Sequence, residues 1–443
     1  MQPTLPAAAA LIGCLLALTS PSAHAAEPPP EPAPRPAIPG RLDLLLRTYV
    51  EDLRIVNGAR RHGAVQSGRL VFQSDYLEAT PGGPGIGFDA GLFGALRLDG
   101  DSDSRNMVHY REDGSGLHDT TWGYLGEYAL KAKAGATTLK YGLQMVNNPY
   151  LQPYDIRALP PTFRGLSLVS GDLKGVTLAA GSFDGVIPRG DDRLRGLSTA
   201  YAGLPFDRIS YAGAAVQLET SSFALYGSQY RDLWNQYYVS ASKKLQFEND
   251  LSFTAQFDSY LTRASGAARA GAVHNNAFAA SLKAQKGASS LLLGYQVIDG
   301  DEFMDYTQET AGIYLSNAMG VDYNAPHERS LQLRYMFDGN RAGIPGWTVM
   351  AWTVRGFGVD GSASAAAHPD PSDPLHSLYW KNGEYVRGGH REWAVKTAYV
   401  VQDGSFKGAK IAFYVYRTRV DTQYPSKSFD DVQLMINYPI RVF

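Results

Sequence analysis

The stretch DIRALPPTFRG at residues 155–165 sets Arg157 and Arg164 on either side of the pair Pro160-Pro161. A guanidinium is a permanent cation whose planar fork of donors matches a carboxylate. Two adjacent prolines fix φ twice and remove two backbone donors, so they stand outside strands and stiffen a loop. Such a segment holds a cation in place; it supplies no reacting group. Covalent chemistry would need a nucleophile with a histidine base and a polar orienter. The chain has 9 histidines; His24 lies in the leading apolar segment and the others fall largely in loop-like stretches, none in a recognisable Ser/His motif. No metal-ligand spacing, phosphate-binding glycine loop or nucleic-acid patch appears, so no metal, cofactor or nucleic-acid partner is expected.

The elements around this loop alternate with a period of two. In LSFTAQFDSY (251–260) Leu251, Phe253, Ala255 and Phe257 oppose Ser252, Thr254, Gln256 and Asp258. In SLQLRYMFD (330–338) Leu331, Leu333, Tyr335 and Phe337 oppose Gln332, Arg334 and Asp338. Similar segments of about ten residues recur along the chain, as alternating strands require. With 443 residues, 27 Tyr, 18 Phe, 46 Gly and a net charge of −2, the chain is too aromatic and glycine-rich for a helical enzyme and carries no basic field for nucleic acid. No apolar run of 18 residues follows Arg41, so no transmembrane helix is expected.

Residues 1–25 form the expected signal peptide: an apolar core at 7–18, then Ala23-His24-Ala25 before the cleavage point. No Lys or Arg precedes that core. LIGC (11–14) also has the residues of a lipoprotein signal, but Cys14 sits inside the apolar run. Cys14 is the only cysteine, so the exported chain has no disulfide. Residues 26–40, AEPPPEPAPRPAIPG, read as a mobile proline-rich spacer, and 41–443 as one folded domain.

Alternating strands suit a soluble sandwich or a transmembrane barrel. Three features favour the barrel. The polar faces carry Arg97, Lys140, Arg334 and Lys396 among Gly and Ser; many strands end in aromatic residues; and the chain closes on an alternating strand at Phe443. The expected fold is all-β: an antiparallel transmembrane barrel of about 18 strands at roughly 22 residues per strand and connection, with sixteen also possible. Stretches 101–120, 184–196, 299–328 and 356–390 are strand-poor and read as surface loops.

The chain resembles the OprD family of outer-membrane porins, the outer-membrane carboxylate channels. The resemblance runs through LDLLLRTYVED (42–52), GFDAGLFGALRLDG (87–100), LPPTFRGLSLVSGDLKGVTLAAGSF (159–183), LWNQYYV (233–239), GYQVIDGDEF (294–303), RSLQLRY (329–335), AYVVQDG (398–404) and NYPI (437–440). It implies a monomeric 18-stranded barrel in a Gram-negative outer membrane, set among lipid and lipopolysaccharide, that passes small carboxylate solutes such as amino acids, aromatic or other organic acids, and peptides. It also implies that the loop holding the proline pair folds inward as a constriction, with Arg157 and Tyr154 at its eyelet. Asp301 of DGDEF, with Tyr295 nearby, would form the opposite wall. A basic ladder along the lumen would include Arg47, Arg54, Lys140, Arg334, Arg391 and Arg419. The sequence departs from the family near its end, where strand arginines are replaced by Ala412, Tyr414 and Gln433. Arg417 and Arg419 come shortly afterwards, and whether they face the lumen or the outer leaflet is open at this point. The alternative functions are a barrel enzyme of phospholipase or protease type and a structural barrel.

Overall fold

The computed structural model describes residues 39–100, 109, 119–311 and 313–443. The signal peptide, and the spacer apart from Pro39 and Gly40, lie outside the described residues.

Eighteen strands form one closed antiparallel sheet. They are β1 (Gly40–Ile55), β2 (Arg60–Ser74), β3 (Gly85–Gly100), β4 (Thr121–Ala134), β5 (Thr137–Gln144) and β6 (Thr162–Ser170). Next come β7 (Val176–Ile187), β8 (Ile209–Gln217), β9 (Ser221–Tyr230), β10 (Trp234–Gln246), β11 (Leu251–Ala264) and β12 (His274–Lys286). The last six are β13 (Ser289–Asp299), β14 (Arg329–Asp338), β15 (Trp347–Phe357), β16 (His390–Val400), β17 (Lys410–Val420) and β18 (Phe429–Arg441). Each strand pairs with its sequence neighbours, and β18 closes on β1 in a register running from Asp43↔Arg441 to Ile55↔Phe429. The Leu42 amide also donates to the Phe443 carbonyl at 3.1 Å, so the two ends of the sheet protect each other's edge.

Exposure follows the alternation. On β13 and β14, Leu293 is 58% and Leu331 48% exposed, while Gln296, Ser330 and Gln332 between such residues are buried. An outer face of Leu, Phe and Val is stable only where lipid covers it, and the polar face then lines the lumen. Most of the short turns, such as 135–136, 218–220 and 287–288, share one rim with both ends of the sheet. The long connections 145–161, 188–208, 300–328 and 358–389 rise from the other, the arrangement of periplasmic and extracellular ends in an outer-membrane barrel.

Because the ladder starts at Gly40, a chain lacking residues 26–38 is expected to insert, resist SDS until heated and conduct as the full mature chain does. Electrophoresis of heated and unheated samples, with bilayer recordings, checks this; loss of the folded band would show that the spacer belongs to the barrel.

Candidate functional site

The connection between β5 and β6, residues 145–161, crosses the lumen from wall to wall. Its first half is set by Asn148, whose side-chain oxygen accepts from the amides of Tyr150 and Leu151 at 3.0 and 2.9 Å. This side-chain turn ties off the backbone locally. Tyr150 donates from its hydroxyl to the carbonyl of Gln236 on β10, and Tyr260 on β11 donates to the carbonyl of Pro149. The second half lies on the opposite wall. Arg47 on β1 donates to the Arg157 carbonyl at 2.7 Å, and Ser67 on β2 to the Ala158 carbonyl at 2.6 Å. Ala158 and Leu159 then pack with Tyr49, Val65, Phe93 and Met435. Pro160 and Pro161 fix the return path to Thr162, the first residue of β6.

Charge holds the crossing in place. The Asp155 carboxylate is shared by Arg47, through both terminal guanidinium nitrogens, and by Arg69 at 3.2 Å. Burial alone would push the Asp155 carboxyl up, but the Arg47 hydrogen bonds and the two guanidinium charges hold it below the ordinary aspartate value. Arg69 also lies over the Phe93 ring at 5.8 Å. That ring has room because residue 126 is glycine; a Cβ there would come within 2.3 Å of it. Arg157 itself sits above Tyr49, donating to its hydroxyl at 2.8 Å, with its other terminal nitrogen 3.3 Å from Glu51. Its side chain is 14% exposed, and its Nε has no partner among the described residues.

Two further loops lock onto this crossing. Arg189, in 188–208, stacks on the Tyr154 ring at 3.6 Å and pairs with Glu309 of 300–328 at 2.7 Å. In the latter loop, Asp305 accepts from the amides of Tyr201 and Ala202, and Asp322 from the hydroxyls of Tyr201 and Tyr306. Burial pushes both carboxyls up, against the donors that surround them.

Among the ladder residues expected from the sequence, Arg47, Lys140 and Arg334 face inward. Lys140 shares Asp89 with Lys131, at 2.6 and 2.7 Å. Arg334 alternates with exposed Leu333 and Tyr335 and has no ion-pair partner among the described residues. Arg69, Lys131 and Lys396 also face inward, and the last lies over Tyr414 at 4.6 Å with no carboxylate partner among the described residues.

Five assignments are corrected. Tyr295 shares the exposed, lipid-facing parity of Leu291 and Leu293, so it cannot line an eyelet. Asp301 is 55% exposed; its side chain pairs with His327 at 2.8 Å and its carbonyl accepts from Ser364, which keeps it among the outer loops and away from Arg157. Arg54 has the outward parity of exposed Leu46 and pairs with Asp52 beside Arg60. Arg391 alternates with buried His390 and Glu392, and so points outward with Trp393 and Val395. Arg419 likewise points outward and pairs with Asp430. The anions beside Arg157 come instead from β1 and β18, as Glu51 and Asp431, which bracket Gln433 through hydrogen bonds.

His109, Asp191 and Asp192 are the described residues that could converge on a cation. Asp191 is already engaged by Arg195, Asp192 lies near Arg193, and His109 is held by Asp119.

A closed barrel with a lipid-facing apolar belt, a charged lumen and a loop stretched across it defines a channel of the outer membrane. The chain matches the family of outer membrane porins, OprD family, over residues 40–442, and it belongs to that family. It is 28% identical over 414 residues to Porin D of Pseudomonas aeruginosa, covering 90% of each chain. It is similar to crystal structures of two Pseudomonas aeruginosa channels. OccD3 (OpdP) gives a TM-score of 0.78 at 28% identity, covering 92% of this chain and 93% of that one. OpdK with vanillate gives 0.77 at 27% identity, covering 91% and 98%. This protein is a substrate-selective diffusion porin of a Gram-negative outer membrane, and no catalytic group is involved in its work.

Proposed function

We propose that the porin passes small solutes bearing a carboxylate, that it does so as a monomer, and that the crossing loop is the selective step. The supporting observation is a set of inward cations: Arg157 on the loop beside Glu51, and Arg334 and Lys396 on the wall without carboxylate partners among the described residues. A cation in a narrow, partly dehydrated passage lowers the energy of an anion there and raises that of a cation. The vanillate bound by the related OpdK is an aromatic carboxylate and agrees with this reading. Arg157 and Tyr154 form the eyelet in this reading, with Glu51 and Asp431 as its acidic side. Arg47, Arg69, Lys131, Lys140, Arg334 and Lys396 form the basic track.

Swelling of liposomes containing the purified chain tests this. Benzoate-like monocarboxylates and amino acids should enter several-fold faster than neutral or diamine solutes of equal size. Equal rates across that panel would remove the carboxylate preference. Replacing Arg334 and Lys396 together by Gln should remove most of this several-fold difference, the effect of roughly 1 kcal/mol.

A further inference from the structure

The arginines that the lumen does not use form a pattern of their own on the outside. Arg355 on β15 is the direct register partner of Arg391 on β16, which is the direct partner of Arg419 on β17. Three guanidiniums therefore stand side by side across adjacent strands, at about 5 Å per step. All three have the outward parity of their strands, and all lie within two residues of the extracellular strand ends. Arg329 on β14 and Arg417 on β17, two residues below Arg419, share the same face. Like charges directly opposite each other destabilise a sheet. Two carboxylates stand nearby. Asp430 pairs with Arg417 and Arg419 at 2.7 and 2.9 Å, and Asp421 borders the shallow recess formed with Arg355, Gly356, Gly389 and Arg391. Five cations against two anions leave the patch strongly positive, and Arg355 and Arg391 have no ion-pair partner among the described residues.

Depth identifies the missing anion. Trp393, two residues below Arg391 on the same face, lies under the Arg417 guanidinium at 5.3 Å. Below it follow Val395 and Val415, paired in register, and at the far rim Tyr399 beside Ile411. Trp and Tyr mark the two interfaces of the hydrocarbon band. The row of arginines thus sits about 7 Å along the strand above the outer aromatic level, where lipid headgroups lie.

We propose that Arg355, Arg391 and Arg419 form a binding site for the phosphate groups of an outer-leaflet glycolipid of the lipopolysaccharide type. The guanidinium forks take phosphate oxygens in paired hydrogen bonds, while acyl chains lie along the Val395–Val415 face. The phosphate offsets the repulsion built into the row. The site is separate from the lumen and does not depend on which solute the channel carries.

The test uses the full mature chain in detergent, with native mass spectrometry to count bound diphosphoryl lipid A. Its arms are the wild type, the Arg355→Gln/Arg391→Gln/Arg419→Gln variant, and enzymatically dephosphorylated lipid A. We expect the triple variant and the dephosphorylated lipid each to lose binding by at least tenfold. Single-channel conductance should be unchanged, which separates this site from the carboxylate reading. Inorganic phosphate at millimolar concentration should not displace the lipid; displacement would make this a site for free phosphate and overturn the lipid assignment. Binding by the triple variant or by dephosphorylated lipid at the wild-type level would overturn the site itself. Should the triple variant fail to give a heat-modifiable barrel, Arg391→Gln alone carries the test, with at least a threefold loss expected and wild-type binding counting against the proposal.

Discussion

Asp155→Ala is expected to release the crossing loop from the β1–β2 wall and to give a larger, noisier single-channel conductance while the barrel stays folded. Asp155 is the anion shared by Arg47, 5% exposed at its side chain, and Arg69, 16% exposed. Its removal leaves two sequestered guanidiniums facing each other without the charge that holds them together. Breaking a buried ion pair from one side costs about 3–5 kcal/mol, and the partial exposure of Asp155 lowers this to roughly 2–3 kcal/mol. Each 1.4 kcal/mol is about a tenfold change in the population of a released loop, so the open fraction should rise by well over an order of magnitude. Asp155→Asn keeps an acceptor and should fall between the two. The pH dependence has a definite sign. The carboxyl is held below its ordinary value, so the anchoring is complete above an unfolded-chain pKa near ~3.9 and weakens only as the pH falls through the lower folded value. Between about pH 5 and 8 the anchor should therefore not respond. Conductance and noise in Asp155→Ala matching wild type would mean that the hydrogen bonds to Pro149 and Gln236 hold the loop without it.

What the sequence made legible follows from how the barrel is solvated. Lipid outside and water inside impose opposite chemistry on alternate residues, so Leu331, Leu333 and Tyr335 against Gln332 and Arg334 can be read directly as outside and inside. The same rule, applied residue by residue, puts Lys140 on the inner face, and Arg69 too, because it alternates with Leu70 and Phe72. Tyr295, Arg54, Arg391 and Arg419 follow from the family resemblance and not from that rule. Each shares parity with apolar neighbours on its own strand, as Tyr295 does with Leu293 and Arg391 with Val395, and that parity was visible in the sequence. Asp301 failed for another reason. Loop paths are not periodic, and nothing local in DGDEF tells that His327 will hold it at the mouth. The anchoring of the constriction was equally hidden. Asp155 meets Arg47 across 108 residues of chain, a meeting set by the closure of the sheet and not by any neighbouring residue. Proline stiffness at 160–161 was legible; what the stiff loop leans on was not.

Arg157→Ala and Glu51→Gln are expected to move selectivity in opposite directions. Arg157 projects from the crossing loop with its guanidinium over Tyr49 and 3.3 Å from Glu51, and Asp431 lies on the neighbouring strand. Its charge is therefore partly offset in the resting channel. What a passing carboxylate gains is the difference between Arg157 and those anions. At 4–6 Å and an effective dielectric near 20, a full charge would attract by about 3–4 kcal/mol before desolvation. A net remainder near 1 kcal/mol changes permeation roughly fivefold. Removing the guanidinium leaves Glu51 and Asp431 facing the lumen without it, so carboxylate uptake should fall about five- to tenfold and the reversal potential should shift towards cations. Removing the Glu51 charge frees the guanidinium, so anion preference should rise by a similar factor. Arg157→Lys keeps the charge without the planar fork and should retain part of the uptake. Reversal potentials in a salt gradient, with uptake of a monocarboxylate, measure both. The opposition of the two shifts is what matters, since loosening of the loop would move both variants the same way. Equal shifts in one direction, or none, would take Arg157 out of the selective step.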